Sequence, residues 1–239
     1  IAICRTIKQL FPELVPLAAA GLSLGEYSAL SAASSISFKE GVVLVQKRAL
    51  FMQMACERHA GGMVVIIGLP TEEVVQMVRE MFLPQDLWVA NLNCPDQVVI
   101  SGTKRGLELG KQEALKRGAR RVVPLNVQGA FHSGLMRDAE AELSKELGNI
   151  TINQGDFPIY MNVTGKEAKT VEEITFNLTQ QISHPVYWQK SIQAMDCEMF
   201  IEMGPGKTLA GIGKKIDNRA VISVEETSQL KEVEKECLG

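Results

Sequence analysis

Histidine is scarce in this sequence: His59, His132 and His184 are all there are among 239 residues. Any reaction that needs an imidazole base must choose among those three. Surplus charge is scarce too, a formal net −3 from 25 basic and 28 acidic residues, so no basic field exists to draw in a nucleic-acid backbone. No apolar run approaches the roughly 18 residues of a membrane-spanning helix. The five cysteines, Cys4, Cys56, Cys94, Cys197 and Cys237, are odd in number and lack C-x-x-C spacing. That pattern suits a reducing compartment and offers no metal site. Internal repeats and low-complexity tracts are absent. A phosphate loop is excluded as well: Gly206-Lys207-Thr208 has the right ending, but the glycine required five positions before Gly206 is Ile201.

What is present is a chain 46% hydrophobic, long enough for one large domain or a domain with an insertion, burying roughly three quarters of its unfolded surface. Residues 16–33, PLAAAGLSLGEYSALSAA, organise it. An apolar strand over 17–20 runs into G-L-S-L-G and straight out into a helix-forming segment. That is the pattern of a nucleophile elbow, in which Ser23 stands on a strained turn and the glycines on either side let strand and helix approach. The helix beginning near Leu24 aims its free N–H groups at the same place, so a negative charge forming beside Ser23 meets donors and a favourable dipole.

The rest alternates strand and helix. Residues 1–10 read as an amphipathic helix already under way at Ile1, with no initiator Met, and a preceding segment is expected. Ser37 and Glu40 have capping-box spacing and open a helix to about Arg58. After Gly61-Gly62 the pattern predicts strand 63–69, helix 71–82, strands 87–93 and 97–101, helix 104–117 and strand 121–127. This βαββαβ order is ferredoxin-like. Residues 61–127 are therefore expected to form a small subdomain inserted into a larger α/β unit made of 1–60 and 128–239. In that unit a turn leads from Val127 into a helix over 133–147, and a strand over 159–163 follows. A helix capped by Thr170 is stopped by Pro185. Strand 199–203, a helix to about Ile216, strand 220–224 and a fraying Glu/Lys-rich tail complete the reading.

A serine hydroxyl needs a base. His59 lies beside glycines and His184 precedes a proline, whereas His132 stands at a strand-to-helix junction and is the candidate. A base must itself be oriented at its other nitrogen. The Gln181 carbonyl would normally bond the N–H of residue 185, which is proline and has none, so it is free either to hold an imidazole or to bond water at a helix end. On the 37–58 helix, Arg48 lies on the apolar side with Leu44, Phe51, Met52 and Ala55. Its guanidinium must snorkel to water or find an anion, such as a carboxylate. The basic cluster Lys116, Arg117, Arg120 and Arg121 reads first as a complement to a helix C-terminus and second as a docking patch.

Taken in order, GLSLGEYSAL, KRALFMQ, NLNCPDQVVISG, GAFHSGLM, QQISHPVYW and EMGPGKTL resemble the malonyl-CoA:acyl-carrier-protein transacylase family, whose fold recurs in polyketide synthases. The resemblance spans essentially the whole chain. It implies an α/β-hydrolase-like large subdomain with a parallel sheet around the ferredoxin-like insert. It also implies that Ser23 is the acylated nucleophile, His132 the base and acid, and Gln181 the residue whose backbone carbonyl steadies the imidazole. By the same resemblance Leu24 supplies an oxyanion N–H, Arg48 grips a malonyl carboxylate, and Phe131, before His132, goes with malonyl selection. Malonyl-CoA is then the donor and the phosphopantetheine of acyl carrier protein the acceptor. No bound cofactor, metal, nucleic acid or membrane is implied, and a monomer in the cytoplasm, or in the matrix of a mitochondrion, is expected. Two departures stand out. The family usually has His before the nucleophile, where this chain has Leu22. The family also begins with a strand and a G-Q-G loop supplying a second oxyanion donor, to which nothing in this sequence corresponds; losing one such donor would cost about a hundredfold or more in rate. A serine esterase with an acidic triad member, and a catalytically silent module that binds carrier protein, remain the alternatives.

Overall fold

The computed structural model describes residues 1–238. The elements run α1 (Ala2–Leu10), β1 (Ala19–Ala20), α2 (Leu24–Ala32), α3 (Phe38–Arg58), β2 (Gly62–Ile67), α4 (Thr71–Met81), β3 (Leu87–Cys94), β4 (Gln97–Gly102), α5 (Lys104–Lys116), β5 (Arg121–Pro124), α6 (Arg137–Leu147). They continue with β6 (Ile159–Met161), β7 (Lys166–Glu167), α7 (Val171–Gln181), α8 (Trp188–Ala194), β8 (Met199–Met203), α9 (Thr208–Ile216), β9 (Ala220–Val224) and α10 (Leu230–Leu238). Strands and helices alternate through mixed sheets, an α/β fold. No helix among the described residues is long and apolar enough to cross a membrane.

Three apolar cores are the largest among the described residues. The largest joins α2, α3, α6 and α7, with Leu30, Leu44, Leu143, Met161, Ile174 and Leu178 buried together. The second lies beneath α4 and α5, where Ile66, Val74, Met77, Val98 and Ile100 fill one face of a four-stranded sheet of order β3-β4-β2-β5, antiparallel throughout. Alternation along these strands sends Met63, Val65 and Val99 to the opposite face, where Phe131 also packs. The third core joins α1, β9 and α10.

The expected parallel sheet of the larger unit is present as two separate parallel pairs, β1–β6 and β8–β9. β7 adds an antiparallel edge to the first pair. A turn through Gly165, at φ +61°, joins β6 to β7, and so short a connection permits only the antiparallel arrangement. Pro124 ends β5 earlier than the sequence pattern suggests and is tolerated because β5 is an edge strand. The helix after His132 starts with one turn of 3₁₀ helix, Gly134–Met136, before α6. The fraying tail is a correction: α10 is a packed helix. Leu230, Val233 and Cys237 recur on one face of an otherwise charged segment and meet Ile7, Phe11, Ile222 and Val224. α8 and β7 were not anticipated; α8 is one short run behind Pro185, fixed by the buried Trp188 and Ile192.

Candidate active site

Ser23 sits between β1 and α2 with φ 51° and ψ −103°, a backbone conformation that L residues rarely adopt. Something must hold that strain. Asn162, at the end of β6, does so from the neighbouring parallel strand: its Oδ1 accepts the Ser23 N–H at 2.7 Å, and its Nδ2 donates to the Gly21 carbonyl at 2.7 Å. The two elbow glycines differ. A Cβ on Gly21 would lie 1.9 Å from the Gly25 carbonyl carbon, so position 21 admits only glycine, whereas a Cβ on Gly25 would meet nothing within 4 Å. The close approach of strand and helix therefore rests on Gly21 alone. Leu22, before the serine, packs with Cys94, Val186, Trp188 and Ile192 in an apolar cluster.

His132 arrives from the other side with φ 57°, its N–H bonded to the Ile182 carbonyl at 3.1 Å. Its Nε2 lies 2.9 Å from Ser23 Oγ, and its Nδ1 lies 2.8 Å from the Gln181 carbonyl. A carbonyl can only accept, so Nδ1 carries the proton and Nε2 is left to accept from the serine. Burial is the main force on the imidazole and, helped by the nearby positive charge of Arg48, lowers its pKa from 6.5 to about 4; the Gln181 carbonyl pulls the other way. At neutral pH the ring is therefore an unprotonated acceptor.

Arg48 does not snorkel. It is buried on α3, and its Nη2 donates to Ser23 Oγ at 2.9 Å and to Gln181 Oε1 at 3.0 Å. Its carbon Cζ stands 5.5 Å from the centre of the Tyr27 ring. Its Nε and the Tyr27 hydroxyl are buried without a partner. Three segments far apart in sequence thus converge on one hydroxyl. Leu24 begins α2, and among the described residues its N–H bonds no carbonyl, as expected at the first position of a helix. Phe131 is different: it packs between the largest core and the four-stranded sheet. Its place beside the site comes from its neighbour His132. No group of His, Cys, Asp or Glu able to hold a metal occurs among the described residues.

Sequence reasoning missed three participants. Glu26 is fully buried, one turn along α2 from Ser23, and accepts from the Asn162 N–H at 2.6 Å and from Gln181 Nε2 at 2.7 Å. Burial is the largest influence and lifts its pKa from 4.5 to about 8, against the donors and the charge of Arg48. Asn162 and the Gln181 side chain complete the network. The spacing of Glu26 from Ser23, three residues on a helix, was the available signal, but an acid in a first turn also reads as a simple dipole complement.

An elbow serine sharing its hydrogen with an imidazole, and that imidazole held by a carbonyl, is the equipment of a serine enzyme that carries acyl groups. The acyl transferase domain model matches residues 14–227. At 40% identity over 237 residues, covering 96% of this chain and 74% of the relative, the sequence is similar to the malonyl CoA-acyl carrier protein transacylase of Bacillus subtilis. The acyl carrier protein S-malonyltransferase of Vibrio cholerae superposes with a TM-score of 0.92 at 35% identity, covering 97% of this chain and 77% of that one. A malonyl-transacylase solved in complex with a type II PKS acyl-carrier protein superposes with a TM-score of 0.88 at 34% identity, covering 96% and 77%. The chain belongs to the malonyl-CoA:acyl-carrier-protein transacylase family of acyl transferases.

Proposed function

We propose that this chain is a malonyl-CoA:acyl-carrier-protein S-malonyltransferase of fatty-acid biosynthesis. It moves malonyl from CoA to the phosphopantetheine thiol of acyl carrier protein in two halves. Ser23 Oγ gives its proton to His132 Nε2 and attacks the thioester carbonyl. The oxyanion that forms faces the Leu24 N–H and the positive end of α2. The imidazolium, steadied by the Gln181 carbonyl, returns its proton to the departing CoA sulfur, leaving malonyl as an ester on Ser23. The carrier thiol then enters, gives its proton to His132 and takes the acyl group, and the serine hydroxyl is restored. Arg48 receives the malonyl carboxylate; Phe131, whose ring packs between the largest core and the four-stranded sheet, is tied to malonyl selection by the family resemblance and its place before His132.

The observation that carries this reading is the unbroken run from Arg48 Nη2 to Ser23 Oγ at 2.9 Å, on to His132 Nε2 at 2.9 Å, and from His132 Nδ1 to the Gln181 carbonyl at 2.8 Å. A carbonyl in the third place, rather than a carboxylate, argues against the esterase alternative. The complete proton path argues against the silent module. Residues 61–127 are read as the ferredoxin-like small subdomain, an assignment supported by their antiparallel β3-β4-β2-β5 order. Residues 1–60 and 128–239 are read as the α/β-hydrolase-like catalytic unit. The relatives from Bacillus subtilis and Vibrio cholerae are bacterial, which favours the cytoplasm and lends nothing to a mitochondrial matrix.

Brief incubation with radiolabelled malonyl-CoA, followed by peptide mapping, tests the proposal. Label is expected on the Ser23 peptide, stable to water over the assay, and transferred when holo acyl carrier protein is added. Absence of label, or label that discharges to water as fast as it forms, would sink it.

A further inference from the structure

The buried site contains one acid that the transfer steps do not use. Glu26 is fully buried, and a buried carboxyl of this kind is costly unless donors surround it. One of its donors, Gln181 Nε2 at 2.7 Å, has a consequence for the guanidinium. A primary amide can sit in two orientations that exchange its oxygen and its NH₂. Here the NH₂ also donates to the Ser23 carbonyl at 2.8 Å, so both of its protons are committed. The amide oxygen must then turn to Arg48 Nη2, 3.0 Å away. In the opposite orientation an NH₂ would meet a guanidinium N–H, and above the raised Glu26 pKa of about 8, where the carboxylate is ionised, the oxygen would face two acceptors. The Ser23 carbonyl is fixed by the elbow. Glu26 is therefore the side chain that decides which way the amide points.

We propose that Glu26 is a positioning residue for acyl selectivity: through the Gln181 amide it fixes the plane in which the Arg48 guanidinium meets a substrate carboxylate. The inference rests on the malonyl-transfer reading and adds the residue that aims its receptor. Glu26 touches neither the acyl group nor the thiol. The Nη2 proton held by Gln181 stops the guanidinium from rotating, so the other Nη2 proton stays directed at the reaction centre. Without that restraint the guanidinium can turn toward the unpartnered Tyr27 hydroxyl beside it.

The test is Glu26→Gln, assayed above pH 8 where the native carboxylate is ionised; it keeps the shape but cannot accept from Asn162 and Gln181 together. Malonyl-CoA and acetyl-CoA are compared as donors to holo acyl carrier protein. The malonyl-to-acetyl ratio of kcat/KM is expected to fall about 10- to 100-fold, the worth of one charge-assisted bond, with most of the loss in malonyl transfer. In an Arg48→Ala background the same substitution should change the ratio less than about twofold, because the two residues act on one interaction. Gln181→Met offers a second route should the first variant not fold: it removes the amide, keeps the main-chain carbonyl on His132, and should narrow the ratio equally. Parallel loss of malonyl and acetyl transfer, an unchanged ratio in Glu26→Gln or Gln181→Met, or full additivity with Arg48→Ala would each overturn the assignment. If the unaltered chain forms no acyl-serine, the transfer reading itself falls and Glu26 with it; an active wild type with an unmoved ratio removes Glu26 alone.

Discussion

Replacing Arg48 by Ala removes the cation that bonds Ser23. In the free site both Nη2 protons are occupied, one by Ser23 Oγ and one by Gln181 Oε1. On the proposed mechanism the serine, once esterified, has a poor acceptor oxygen, and the malonyl carboxylate takes up the freed proton and a neighbouring N–H. Two charge-assisted bonds at about 1.5 to 3 kcal/mol each give about 3 to 6 kcal/mol. At 1.4 kcal/mol per decade, malonyl kcat/KM should fall about 10²- to 10⁴-fold. Acetyl transfer should hold or rise, because a buried guanidinium left without an anion no longer opposes the acetyl group. The assay is transfer of radiolabelled malonyl or acetyl from CoA to holo acyl carrier protein, run at matched concentrations with melting curves to show that the variant is folded. A malonyl-to-acetyl ratio within about threefold of wild type would refute the reasoning, whatever happened to the absolute rates.

The two elbow glycines should separate cleanly: Gly21→Ala is expected to prevent folding or abolish activity, since its Cβ would fall 1.9 Å from backbone, while Gly25→Ala should fold normally, as shown by expression and circular dichroism. Asn162→Ala should lower kcat by about tenfold or more with a smaller change in KM, because the serine N–H and the Gly21 carbonyl both lose their partner while the backbone bond to Glu26 stays. With its pKa at about 4, His132 should keep an unprotonated imidazole signal by NMR well below pH 6, the signal being assigned by its loss in His132→Asn. The unfolded chain holds the extra proton between about 4 and 6.5, so stability contributed by this group is full above 6.5 and is lost as pH falls toward 4. A titration midpoint near 6.5 would contradict the burial described here.

Most of the frame was legible because it obeys periodicity. The period-2 strands and 3.6-period helices of residues 61–127 fall within a few residues of their observed ends, and Ser37 and Thr170 cap α3 and α7 through bonds from Glu40 and Glu173. The elbow was legible because its turn demands Gly21. The Gln181 carbonyl was legible because a helix had to end ahead of Pro185; α7 stops at Gln181 itself, so that carbonyl is one of the last left without a helical donor. What escaped has no local signature. Glu26 and Asn162 are ordinary residues of a helix and of the turn after a strand until the parallel β1–β6 pairing sets them against one another, and sequence separation of 136 hides the pair. The last helix escaped because a high charge content masks three apolar residues whose partners lie on α1 and β9.

On the proposed mechanism, shared use of one guanidinium links recognition to chemistry. In that reading Arg48 bonds the free serine hydroxyl or the acyl carboxylate with the same Nη2 proton, but not both at once, since Gln181 keeps the second. Before acylation that proton lies on Ser23 Oγ and favours the negative charge that develops as the hydroxyl is deprotonated. After acylation it is released to the carboxylate at the moment the ester oxygen ceases to compete. A substrate without a carboxylate offers nothing to take it, and the guanidinium is left desolvated against an ester. The proposed role of Arg48 therefore places discrimination on the acyl-enzyme and the steps around it rather than on the first encounter with CoA. On this argument malonyl and acetyl donors should differ more in the amount of acyl-serine at equilibrium than in the affinity of the unreacted thioesters, and rapid-quench measurement of the two quantities would expose the reverse order if it held.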